Sequence, residues 1–168
     1  MFTQVLQPLA YAEVLLAQFT RLSRAPDAAA LMAGFARAVV ELSGCELAQV
    51  YLLDATHTHL RVSAECLNGS VQARETAELP ADYNGGQLLQ FALCQNRVVS
   101  LTDLSTSLYE TGFLPLQASP WHAFLCVPLV NHQKAVEGLL VCASIQRVDL
   151  QGYAKSLGQL GAFVLGQL

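Results

Sequence analysis

Apolar residues open the chain at alternating steps of four and three: Val5, Leu9, Ala12, Leu16 and Phe19 fall on one stripe of a helix. Pro8 lacks an N–H and belongs near the start of the regular part. After a break at Ser23-Arg24-Ala25, Pro26 and Asp27 suit the first turn of a second helix, with Leu31, Phe35, Ala38 and Leu42 as its buried stripe and Gly44 as its stop. The pattern then changes. Residues 46–53 and 60–67, rich in Val, Leu and Tyr, predict an antiparallel pair of strands around the polar stretch 54–59. Residues 74–79 predict a weaker strand, ended by Pro80 and the turn residues 82–86. Leu88, Phe91 and Leu93 restore helical spacing over 87–95, ahead of Val98-Val99.

Residues 102–120 are long and irregular for a compact domain, which marks a candidate lid or binding loop. Two apolar runs, 121–130 and 136–145, flank a polar turn at Asn131-His132-Gln133-Lys134. They predict a hairpin central to a sheet, because both its faces are apolar. Leu150, Tyr153, Leu157, Leu160 and Val164 return to three-and-four spacing and give a terminal helix that Asp149 can cap. Within the hairpin, Pro128 belongs at a bulge or an unpaired position, and Gly138, read as lying opposite it, admits a close backbone approach.

With 53% hydrophobic residues the chain can fill one core. Only 13% are charged, which predicts apolar surface covered by a second subunit or a partner. A net charge of −4 without a basic cluster argues against direct nucleic-acid binding. No apolar run approaches the ~20 residues of a membrane span, and the first residues lack the layout of a signal peptide, so a cytoplasmic setting is expected. The five cysteines, Cys45, Cys66, Cys94, Cys126 and Cys142, show no CxxC spacing and read as reduced, buried thiols. His57 and His59 sit in a polar turn, and no metal site is expected there.

The run Gly86-Gln87-Leu88-Leu89-Gln90-Phe91-Ala92-Leu93-Cys94-Gln95-Asn96-Arg97-Val98-Val99, followed by Asp103, resembles the glycine, short helix, strand and aspartate of GAF domains, relatives of the PAS domains. Phe124-Leu125-Cys126-Val127-Pro128-Leu129 with Val136, Gly138 and Leu139 is similar to that family's most recognisable hairpin. The resemblance spans residues 28–163, with residues 1–24 as an added signalling or dimerisation helix before a domain at 25–168. It implies an α+β fold: a central antiparallel sheet of five or six strands, N- and C-terminal helices on one face, and a short helix and long loop over a pocket on the other. It also implies a sensory, non-catalytic role while leaving ligand and cofactor unknown, since GAF domains bind cyclic nucleotides, bilins, haem, iron, amino acids or 2-oxo acids, or nothing known. Asn131 and Lys134 lack the continuation of the cyclic-nucleotide signature, and no His-Cys neighbourhood matches the bilin cysteine. One branch, the free methionine-(R)-sulfoxide reductases, places cysteines at the glycine-rich helix start and in the loop. Here those regions read Gly85-Gly86-Gln87-Leu88 and Leu116-Gln117-Ala118-Ser119, so no catalytic thiolate is expected.

Alternation along the hairpin separates a uniformly aliphatic face, Ala123, Leu125, Val127 and Leu129, from a mixed one. The mixed face is read as His122, Phe124 and Cys126 on one strand with Leu140, Cys142 and Ser144 on the other. It is the expected pocket lining, joined by Gln49 and Tyr51 and by Gly86 and Leu88 at a helix start whose N–H groups suit an anion. Phe91, Phe113 and Trp121 supply aromatic cover. The alternative is that these side chains fill the space themselves. Both terminal helices carry stripes suited to pairing in a homodimer. The expected arrangement is a sensor that binds a small molecule or a partner and controls a covalently linked output domain, with sigma-54-dependent transcriptional activators as the favoured setting. A scaffold with a filled pocket is the second reading.

Overall fold

The computed structural model describes residues 8–72, 78–83, 85, 87–107, 111–117 and 119–168. Two helices, α1 (Pro8–Ser23) and α2 (Ala28–Ser43), precede β1 (Leu47–Leu53), β2 (His59–Leu67), β3 (Ser70–Gln72) and β4 (Glu78–Pro80). Then come α3 (Leu88–Gln95), β5 (Val99–Leu101), β6 (Ala123–Val130), β7 (Val136–Ser144) and α4 (Ala154–Gln167). Of the weak strand expected at 74–79 only its end appears, in β4; residues 73–77 lie outside the described ones.

Local chemistry sets the boundaries. The Asp27 carboxylate accepts from the Ala30 N–H at 2.8 Å, so Asp27 caps α2 rather than entering its first turn. Gly44 ends that helix at φ 73, a left-handed conformation that costs glycine nothing. Asp149 accepts from the Gln151 N–H at 2.9 Å and so opens a 3₁₀ turn, Gln151–Tyr153, ahead of α4 rather than α4 itself.

The strands order as β3-β2-β1-β7-β6-β5, every pairing antiparallel. β3 pairs with Glu65–Leu67 and β4 with His59–Arg61, so both lie along the outer edge of β2 and the seven strands make a sheet six positions wide. One face carries α1, α2 and α4 over Ala48, Val50, Leu125, Val127, Leu140 and Cys142. The opposite, distal face carries α3 and, from the 102–120 loop, Leu104, Phe113 and Leu114 over Leu47, Tyr51, Phe124, Cys126, Leu139 and Val141.

Two bulges decide which side chains go where. Pairing starts at Val130↔Val136 beside the hairpin turn, but past the irregularity at Leu129/Val130 it continues as Leu129↔Gly138. A slip of one residue exchanges faces. The symmetric hairpin assumed from alternation sets Phe124 opposite Cys142; the bulge sets it opposite Ala143, and Cys126 opposite Val141. A second irregularity, at Val50/Tyr51, divides β2, so that Ala64 and Cys66 face the helices while Leu60 and Val62 face the distal side.

Gly138 does admit a close backbone approach, but from the other neighbour: a methyl group there would overlap the Tyr51 carbonyl of β1, not Pro128 of β6. Pro128 pairs with Leu139 next to the hairpin bulge. The stripe of α1 is also corrected. Tyr11, Leu15, Phe19 and Leu22 pack inward, whereas Ala12 and Leu16 are exposed. Val5 lies outside the described residues.

Candidate functional site

Gln49 and Tyr51 project from the middle of β1 onto the distal face, because their partners Val141 and Leu139 do. Both are wholly buried, as is Glu65, which pairs with Gln49 across β1 and β2. A buried amide requires partners. Gln49 Nε2 donates to Glu65 Oε2 at 2.7 Å and to the Phe113 carbonyl at 3.1 Å, while the Tyr51 hydroxyl donates to Gln49 Oε1 at 3.1 Å. One side chain thus fastens two strands and the covering loop together. The Phe113 ring meets Phe124 edge to face, centroids 5.9 Å apart, and Trp121 donates from Nε1 to the Pro115 carbonyl at 2.8 Å. Above them Leu88, Leu89 and Ala92 of α3 are buried against the sheet.

At the rim, Asp103 gathers the end of the loop. Its carboxylate accepts from the Ser105 N–H and hydroxyl at 3.0 and 2.6 Å and from Arg147 Nε at 3.1 Å, and its Oδ1 lies 2.9 Å from His122 Nδ1. The Ser105 hydroxyl, then the His122 ring, hold this carboxyl well below the usual carboxylate range. His122 continues the sheet, its N–H donating to the Ser144 carbonyl at 2.8 Å, so the clasp ties the loop to the β6 end of the wall.

Gln49, Tyr51, Leu88, Phe113, Trp121, Phe124 and Cys126 therefore meet on the distal face, with His122 at its rim. Leu140, Cys142 and Ser144 do not: the bulge turns them to the helix side, where Leu140 and Cys142 join the helical core and Ser144 Oγ donates to Glu46 at 2.8 Å. Leu139, Val141 and Ala143 take their place. Phe91 is half-buried and packs edge to face on Tyr83, apart from the distal core. Gly86 lies outside the described residues, and Gln87, at the start of α3, makes no side-chain cap. Glu65 was missed, because a lone carboxylate in a strand reads as an outward-facing residue and only the bulge sets it beside Gln49 on the distal face.

All five cysteines are free, four of them buried and Cys94 exposed. Burial pushes the Cys126 thiol up, away from the thiolate that nucleophilic chemistry needs. Cys45 and Cys142 share a hydrogen bond that lowers the first thiol and raises the second. Among the described residues no group of three or more His, Cys, Asp or Glu is placed to hold a metal ion, and no helix is long and apolar enough to cross a membrane.

An antiparallel sheet with terminal helices on one face, and a short helix and clasped loop on the other, defines a small α+β domain. The sequence model of the GAF domain matches residues 27–160, and the chain belongs to the GAF family. No curated protein sequence matches it. Among solved structures it is similar to the GAF domain of an Acinetobacter phosphoenolpyruvate-protein phosphotransferase, at TM-score 0.77 and 18% identity over 96% of this chain and 93% of that one. It is also similar to free methionine-R-sulfoxide reductase from Neisseria meningitidis in complex with its substrate, at TM-score 0.73 and 19% identity over 99% and 93%. A third is the chromophore-binding domain of Stigmatella aurantiaca phytochrome P1, at TM-score 0.68 and 17% identity over 100% and 62%. At these identities the likeness is one of fold.

Proposed function

We propose that the chain is a non-catalytic sensory GAF domain that takes a small molecule on its distal face and controls a covalently linked output domain. The observation that carries this reading is Gln49. Its wholly buried amide holds the Phe113 carbonyl of the covering loop and the Glu65 carboxylate of β2 at once. A ligand offering polar groups of its own competes for those bonds and frees or refastens the loop. Cys126, the thiol within the distal core, supports the non-catalytic part: it is wholly buried and burial raises its pKa.

The test is a thermal-shift screen of amino acids, 2-oxo acids and nucleotides, with native mass spectrometry for retained molecules. A ligand at about a hundred times its Kd adds about 2.7 kcal/mol, a rise of roughly 5–10 °C for a chain of this size. Gln49→Leu is expected to abolish that rise. Absence of any ligand favours a second reading, a scaffold whose distal space is filled by its own side chains. Tyr51, Leu88, Phe124 and Leu139, all fully buried there, speak for it. For the output, transcription control of the sigma-54-dependent kind rests on analogy with the output domains commonly joined to GAF sensors. Finding an AAA+ ATPase in the same polypeptide supports it, and a kinase or cyclase there overturns it.

A further inference from the structure

Helix α1 has a second apolar face. Tyr11, Leu15, Phe19 and Leu22 pack against the domain, but Ala12, Leu16 and Ala17 point outward, and Leu16 is 66% exposed. Beside them runs a groove of about 750 Å³ between α1 and the start of α2, walled by Leu16, Ala17, Thr20, Pro26, Ala30 and Gly34. Opposite charges stand at the two ends of this wall, Glu13 before it and Arg24 after it, and neither forms an ion pair with another described residue. Arg24 lies in the turn just past α1, about three helical turns or roughly 16 Å beyond Glu13, too far to pair within one chain. Arg21, between them, has its guanidinium 2.9 Å from Glu41 of its own chain, so the face presents its aliphatic stem rather than its charge.

This pattern is complementary to itself in one orientation. A parallel copy of α1 sets Glu13 beside Glu13 and Arg24 beside Arg24. An antiparallel copy sets Glu13 beside Arg24 at both ends, brings the small residues Ala17 and Thr20 together at the crossing, and lays Leu16 on the Arg21 stem. We propose that this face is a self-association surface, on which α1 and the adjoining groove receive α1 of a second copy of the chain, antiparallel about a two-fold axis. The low share of charged residues, 13%, accords with a surface of this kind.

Sedimentation equilibrium of the wild-type chain over a concentration series tests the proposal, alongside Glu13→Arg and Arg24→Glu. Both substituted side chains are exposed, and an unchanged circular dichroism spectrum with a cooperative melt verifies that each variant is folded. The wild type is expected to dimerise. Each variant alone turns two attractions into two repulsions and is expected to weaken association on the order of tenfold or more. An equimolar mixture of the two variants recovers it, because each arginine at position 13 then meets the glutamate at position 24 of the other chain, and the native Arg24 meets the native Glu13. A wild type monomeric at every concentration, variants that dimerise like the wild type, or a mixture no stronger than its components overturns the proposal.

Discussion

Gly138→Ala is the sharpest probe of how the central strands are packed. Gly138 lies in β7 between Leu52 of β1 and Leu129 of β6. An added methyl group overlaps the Tyr51 carbonyl oxygen and comes within 3.1 Å of Leu52 Cδ2. A side chain can rotate away, but a ladder carbonyl cannot, so β1 or β7 must move. Overpacking of this kind costs about 1–3 kcal/mol, and a weakened ladder bond adds about 0.5–1.5 kcal/mol. Together that is roughly 2–4 kcal/mol, or a fall in Tm on the order of 5–15 °C for a chain of this length. Gly158→Ala in α4 is the matched control: its methyl group meets only Val127 Cγ1, at an ordinary 3.6 Å, and alanine is favoured over glycine in a helix by about 1 kcal/mol. Thermal melts followed by circular dichroism are expected to move in opposite directions for the two. Since both remove a glycine's freedom in the unfolded chain, their difference isolates the clash. A Gly138→Ala protein melting within a degree of wild type would refute the packing argument.

Three further outcomes are expected. Asp27→Ala removes the α2 cap and costs about 1 kcal/mol, read as a lower urea midpoint; an unchanged midpoint sinks the capping assignment. Asp103, held below the ordinary value of about 3.9, contributes stability that is present above that pH and lost as pH falls below it toward the folded value. Asp103→Asn should therefore be less stable at neutral pH and show a shallower loss in acid, and urea midpoints falling equally steeply in both proteins contradict the clasp. In the folded protein a thiol reagent such as DTNB should modify Cys94 first, with Cys45, Cys66, Cys126 and Cys142 reacting only on unfolding; rapid modification of Cys126 would count against the buried distal face.

Element types were legible because their causes are local. The Leu31, Phe35, Ala38 and Leu42 stripe of α2 is buried throughout, and the hairpin runs give β6 and β7. What alternation could not carry was parity. Phe124 and Cys126 were assigned to one lining with Leu140 and Cys142, yet a single extra residue beside the hairpin turn separates the two sets by the thickness of the sheet. The same cause hid Glu65, since the irregularity opposite Val50/Tyr51 reverses the sense of β2 midway. The stripe of α1 was misplaced for a different reason: the helix is apolar on two sides, and periodicity cannot tell which of them meets the chain's own core.

The sheet is a partition with a separately packed layer on each side. Side chains of the two layers do not interdigitate; they communicate through the backbone of β1, β6 and β7. Amide hydrogen exchange should accordingly resolve two cooperative units, with α3 and the clasped loop opening at lower free energy than α2 and α4. A protein built this way can soften one interior while the other keeps its order.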